Sequence, residues 1–300
     1  MQKAVFVHVF VWCLFATMVM GFLAWSGGQA TATNSEAKVS YQYVVAPTEL
    51  VPGVSGYVVI DEDTGEVLLA QAADVSRPTA SVIKLLVAAA ALQSDLLDAT
   101  TTITWSDVDA PEDFGKLVVG EVYTLRELLF PYLMESSNDA GAAIERTWGA
   151  ALTPIIKEGL AEAGVADAVT VADYSGLSPK TTATPAALAR LTQHLAKTTP
   201  TLFDITKLPQ YLGHQPLVNN SPFIADVDYE GGKHGYTPEA GKTAVVRFHA
   251  TYGDGERTLV AVLLGADDSK AALKALKTAL EGSVTRVPQS GGDSAILPAS

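Results

Sequence analysis

Between residues 56 and 71 the apolar positions fall into two short runs, GYVVID and EVLLAQ, separated by Glu62-Asp63-Thr64-Gly65. Two β-rich runs around a polar turn predict a β-hairpin. The period then lengthens. TASVIKLLVAAAALQSDLL, over 79–97, predicts a helix with Thr79 or Ser81 placed to open it. TLRELLFPYLMES predicts a helix that Pro131 kinks or interrupts, and DAGAAIERTWG predicts another. TPIIKEGLAEAG has proline in its first turn and Gly164 at its end, the signature of a separate short helix, and TPAALARLTQHLAK repeats that start. After residue 240 the strand pattern returns, with GKTAVVRFHATYG and RTLVAVLLGA flanking a Gly253-Asp254-Gly255 turn. SKAALKALKTALEG closes the periodic part as a helix, and SVTRVPQSGGDSAILPAS has turn residues but no period.

Strands at both ends of the chain with helices between them predict an α+β fold. An antiparallel sheet built from the two ends, carrying an inserted helical lobe, satisfies that order. The cleft between sheet and lobe is then the natural place for a site. The predicted domain map is 1–30 signal peptide or membrane anchor, 31–48 linker, 49–283 folded domain and 284–300 flexible tail.

Composition narrows the function classes. A net charge of −13 argues against nucleic acid and against an anionic membrane surface as partners of the folded part. The one cysteine, Cys13, lies in the N-terminal apolar run, so the folded part has no disulfide and no thiolate nucleophile. His8, His194, His214, His234 and His249 show no metal-ligand spacing, and neither a metal nor a cofactor is expected. Residues 4–25 carry no Asp, Glu, Lys or Arg and follow Lys3, the pattern of an export signal. The run is long enough to span a bilayer, and Ala30-Thr31-Ala32 offers a cleavage site, so anchor and cleaved signal both stay open. Either way the domain is expected outside the cytoplasm, touching membrane only through its N-terminal segment.

Three short motifs carry chemistry. Ser81-Val82-Ile83-Lys84 puts a serine and a lysine on one helix face, with apolar LLVAAAAL following. Desolvation there disfavours the ammonium and makes a neutral amine available as a base for the serine. The spacing alone is weak, since Ser35-Glu36-Ala37-Lys38 repeats it in the linker. Ser136-Ser137-Asn138 lies between two predicted helices, where a helix cap is the plainer reading. Lys233-His234-Gly235 sits in GGKHGYTPEAGK, on or beside a glycine-rich strand, where a hairpin turn is the plainer reading.

Taken in order, S-x-x-K, S-x-N and K-x-G resemble the three motifs of the penicillin-binding-protein and serine β-lactamase superfamily. The chain is most similar there to low-molecular-mass D-alanyl-D-alanine carboxypeptidases. TLRELLFPYLMESSNDAGAAI, DYSGLSPKTTATPAALARL and GGKHGYTPEAG resemble family segments across their length, and the likeness runs from about 50 to about 282. The resemblance implies that Ser81 attacks the penultimate D-alanine carbonyl with Lys84 as its base. It implies that Ser136 relays a proton to the leaving D-alanine, and that Asn138 holds the substrate amide and Lys84. It also implies that Lys233 meets the terminal carboxylate, and that the N–H groups of Ser81 and Tyr236 form the oxyanion hole. His234, Gly235, Tyr236 and Thr237 would line the strand against which the stem peptide lies, and β-lactam antibiotics would act as covalent inhibitors.

His234 departs from the hydroxyl residue usual at that position. A protonated imidazole would add charge for the carboxylate, which predicts activity falling above about pH 6.5. The rival readings are a β-lactamase, a DD-endopeptidase of the same fold, and a silent wall-binding relative. A class A β-lactamase needs Glu-x-x-x-Asn between the second and third motifs, and no asparagine lies between Asn138 and Asn219.

Overall fold

The computed structural model describes residues 51–109, 116–252 and 255–283. The expected export segment, linker and tail lie outside the described residues, as do Gly253 and Asp254 of the predicted hairpin turn. Among the described residues no helix is long and apolar enough to cross a membrane, and no group of His, Cys, Asp or Glu is placed to hold a metal ion.

The N-terminal hairpin forms as predicted, with β1 (Val54–Asp61) and β2 (Val67–Gln71). Asp61 Oδ1 closes its turn by accepting from the N–H groups of Asp63 and Thr64, at 3.0 and 2.8 Å. The C-terminal half supplies β3 (Tyr229–Thr237), β4 (Gly241–Tyr252) and β5 (Gly255–Ala266). The sheet order is β3-β4-β5-β1-β2, with every neighbouring pair antiparallel. Both chain ends thus build one sheet, which is the α+β architecture expected.

The two faces of that sheet are both covered. Val58, Ile60, Val260, Val262 and Leu264 enter a core shared with the helical lobe. Their alternates Tyr57, Val59, Leu259, Ala261 and Leu263 pack with Leu273, Leu276 and Leu280 of the closing helix. A strand buried on both faces has no polar side, and this explains the unbroken LVAVLL run in β5.

The lobe contains α1 (Lys84–Gln93), α2 (Leu125–Met134) and α3 (Asn138–Glu162). It is followed by α4 (Pro185–Thr198) and α5 (Thr201–Lys207), and α6 (Ser269–Ser283) ends the described chain. Thr184 caps α4 by accepting from Ala187 N at 3.1 Å, as its Thr-Pro start predicts. Thr124 and Glu127 form a reciprocal capping box on α2.

Three helix expectations need correction. Pro131 does not interrupt α2, which continues to Met134. The two helices expected over 139–149 and 153–164 are one, running through Pro154. Ile144, Trp148, Leu152, Ile156 and Leu160 are all buried at four-residue spacing, so one apolar stripe crosses the proline. One turn before it, Gly149 O accepts from Thr153 Oγ1 at 2.7 Å and from the Tyr174 hydroxyl at 3.1 Å, tying this part of the helix to the loop that follows. The helix expected over 79–97 opens instead as a 3₁₀ turn, Ala80–Ile83, and ends at Gln93. No side chain caps that turn. α5 and a short hairpin, Gln210–Leu212 with Pro216–Val218, carried no sequence signal strong enough to predict.

Candidate active site

Ser81 sits where the 3₁₀ turn meets the sheet. Ala80 before it is left-handed, at φ 47, an unusual state for a residue with a Cβ. Two glycines let the backbone pack closely around that peptide. A Cβ on Gly235 of β3 would lie 2.5 Å from Ser81 N and 2.9 Å from Ala80 Cβ. A Cβ on Gly176, whose φ is 77, would overlap the Ala80 carbonyl. Thr243 of β4 adds a tether, donating from Oγ1 to Thr79 O at 2.8 Å. Ser81 Oγ donates to Ser175 O at 3.3 Å, long for a hydroxyl donor and easily exchanged for another partner.

One turn on, Lys84 is fully buried. Its Nζ donates to Asn138 Oδ1 at 2.9 Å, to Ser137 O and Ser136 Oγ at 3.3 Å, and to Ser136 O. These oxygens offset the desolvation that burying an amine exacts. Ser136 is left-handed, at φ 61, and this turns its carbonyl and its hydroxyl towards the same amine. The cap reading and the chemical reading of Ser-Ser-Asn both hold, for different residues. Ser137 caps α3, accepting from Ala140 N at 3.0 Å, while Ser136 and Asn138 face Lys84.

Lys233 and His234 lie on β3, the edge strand, rather than in a turn. Lys233 is 2% exposed, and its Nζ donates to His234 O at 2.7 Å. Burial lowers its pKa to about 7. His234 corrects the expectation of a charged imidazole. Burial, with the cations Lys233 and Lys84 nearby, pushes its pKa down to about 2, so the ring is neutral at any working pH. His234 Nδ1 is buried with no hydrogen-bond partner among the described residues. Gly235 brings the strand against Ser81, and the Tyr236 side chain is exposed. Thr237 is buried, with its Oγ1 accepting from Ala240 N at 3.1 Å to close the β3–β4 turn.

Sequence reasoning passed over Asp173. Its carboxylate accepts from the N–H groups of Ser175, Gly176, Leu177 and Ser178 and from Thr181 Oγ1. It thereby shapes the loop whose Ser175 carbonyl meets Ser81. An aspartate shortly before Ser-Gly is the local signal for such a turn.

Comparison with known proteins agrees with this arrangement. The family described as D-alanyl-D-alanine carboxypeptidase (Peptidase_S11) matches residues 48–268. The D-alanyl-D-alanine carboxypeptidase DacB2 of Mycobacterium tuberculosis is 30% identical over 239 residues, 74% of this chain and 79% of that protein. A crystal structure of a D-alanyl-D-alanine carboxypeptidase from M. tuberculosis superposes with a TM-score of 0.70 at 26% identity, covering 83% of this chain and 98% of that one. A penicillin-binding protein of Listeria monocytogenes, solved with cefotaxime bound, shares the fold at a TM-score of 0.66 and 23% identity, covering 76% of this chain and 96% of its own. With the three motifs gathered around the Ser81–Lys84 turn and the family match spanning most of the sheet and lobe, this chain belongs to the D-alanyl-D-alanine carboxypeptidase family of serine peptidases.

Proposed function

We propose that Ser81 is the nucleophile of this carboxypeptidase and that peptidoglycan stem peptides ending in D-Ala-D-Ala are its substrate. Ser81 Oγ attacks the penultimate D-alanine carbonyl, and its proton passes to Lys84. The resulting oxyanion lies between the N–H groups of Ser81 and Tyr236, two preorganised donors. Lys84 returns that proton to Ser136, whose Oγ lies 3.3 Å from its Nζ, as Ser136 hands its own to the departing D-alanine nitrogen and the C–N bond breaks. Water then cleaves the Ser81 ester, releasing the shortened peptide. Asn138 holds Lys84 and receives the substrate amide. Lys233 meets the terminal carboxylate, and the neutral His234 ring offers it an N–H donor. Its buried Nδ1, without a partner among the described residues, suits a group completed by ligand. Thr237 closes the end of the strand that receives the peptide.

The single observation that carries this reading is the Lys84 amine, buried and held by Ser136 and Asn138 one turn from Ser81. The same acyl chemistry makes β-lactams covalent inhibitors. Residues 4–25 carry the domain out of the cytoplasm, as a cleaved signal or as an anchor, with 49–283 as the catalytic domain.

Intact-mass spectrometry of the full-length chain with benzylpenicillin tests the nucleophile. A one-to-one adduct absent from Ser81→Ala is expected. Failure of the wild type to form any adduct, together with no D-alanine release from a pentapeptide, would sink the reading. D-Alanine release against cleavage of a cross-linked dimer separates carboxypeptidase from endopeptidase.

A further inference from the structure

Tyr132 belongs to none of the three motifs, yet it touches Lys84 and the loop that meets Ser81. It lies on α2 and is fully buried. Its ring sits beneath Lys84, with Nζ 5.3 Å from the centroid, close enough to favour the ammonium that forms when the amine takes the serine proton. Its hydroxyl donates to Tyr174 O. The next carbonyl along, Ser175 O, is the acceptor of Ser81 Oγ. One rigid side chain therefore reaches the lysine with its face and the serine's loop with its tip.

The surroundings leave that side chain little freedom. Asp173 clamps the loop from the far side, accepting from Ser175 N at 2.9 Å and Ser178 N at 2.9 Å. On α3, Gly141 allows close approach, because a Cβ there would lie 2.5 Å from Ser175 Oγ and 3.2 Å from Tyr132 Cε2. Neighbours Leu128, Leu129, Leu133 and Met134 are buried and apolar, and packing alone asks for no hydroxyl at this position. Burial drives the phenol well above its ordinary range. It stays protonated and acts as a donor, with no part in moving protons.

We propose that Tyr132 is a positioning residue for acyl transfer, its ring placing the Lys84 amine and its hydroxyl placing the 173–176 loop against Ser81. This rests on the reading of Ser81 as nucleophile and deepens it. No bond to substrate is involved, so the effect belongs in the rate of the chemical step and not in binding.

The test uses the full-length chain, benzylpenicillin as acylating probe, and the variants Tyr132→Phe and Tyr132→Leu, each assayed well below its own melting temperature. The limiting acylation rate and the half-saturating concentration are measured separately. Phenylalanine keeps the ring under Lys84 and loses only the tether, so the limiting rate is expected to fall about tenfold. Its half-saturating concentration is expected to stay at the wild-type value. Leucine loses both contacts, and a fall of about 100-fold is expected. A Tyr132→Phe variant with the wild-type limiting rate overturns the proposal, whatever its melting temperature and whether or not the leucine variant folds. A wild type that forms no adduct at all would instead remove the reading of Ser81 on which the proposal stands.

Discussion

Replacing Lys233 with methionine should make this protein more stable and less active at once. Lys233 is buried, its charge meets no carboxylate partner among the described residues, and its amine donates to the neighbouring His234 carbonyl. Its pKa falls from 10.5 to about 7 through burial alone. At about 1.36 kcal/mol for each pKa unit, that places the cost of holding it in the fold on the order of 4 kcal/mol at neutral pH. Relaxation and the orphaned His234 carbonyl take back part of the gain, leaving on the order of 2 kcal/mol. For a domain of this size that corresponds to a rise of about 4–8 °C in melting temperature. The sign follows from the proton balance. Between pH 7 and 10.5 the unfolded lysine is protonated and the folded one is not, so wild-type stability rises with pH across that window. The advantage of Lys233→Met should therefore be full at or below pH 7 and should shrink as pH climbs towards 10.5. Thermal melts of both proteins at pH 6.5 and pH 10, with benzylpenicillin acylation alongside, make the comparison. A methionine variant that melts at or below the wild type at pH 6.5, or a difference that ignores pH, would refute the reasoning.

The same group sets a pH dependence on activity. In the proposed role of Lys233 the carboxylate needs its ammonium form, so preference for benzylpenicillin over its carboxamide, taken as a ratio of acylation efficiencies, should fall about tenfold per pH unit above about 7. The His234 ring, neutral above about pH 2, should add no inflection to that ratio between pH 5 and 7, and a ratio flat to pH 9 would contradict the carboxylate role. Gly235→Ala places a Cβ 2.5 Å from Ser81 N, and because the neighbour is backbone the strand must move. Acylation should drop about 100-fold, with the variant still folded by circular dichroism, and near-normal acylation would show that β3 is not held close to Ser81.

Much of the fold was legible because its signals are local. The Thr-Pro start of α4, the Glu62–Gly65 turn and the unbroken apolar run of β5 each depend on neighbours in sequence. The two prolines misled for the same reason. The rule that proline ends a helix looks a few residues either way, whereas the stripe from Ile144 to Leu160 runs straight past Pro154. The motifs themselves were legible as residue types; in the fold the first two meet at the Lys84 amine, and Gly235 of the third lies against Ser81. What escaped was everything fixed at a distance. The Tyr132–Tyr174 bond spans 42 positions and the Ser81–Ser175 bond 94, beyond any periodicity argument. The charge of His234 was misjudged because an imidazole's solution value ignores burial and two nearby cations, neither of which is visible along the chain.

Those failures cluster where the local rules are broken. Ala80 and Ser136 are left-handed without being glycine, Lys84 and Lys233 are buried, and His234 is neutral beside two lysines. Each is unfavourable by itself, left-handed backbone costing about 1–2 kcal/mol per residue. They persist because the sheet, the lobe and the 173–176 loop over-determine the geometry from three sides. Ala80 is trapped between Gly176 and Gly235, and Ser136 is held by the Lys84 amine, which donates to its carbonyl and its hydroxyl. Local strain supported from elsewhere is what a preorganised site requires, since a group already held in place needs no reorganisation when the oxyanion forms.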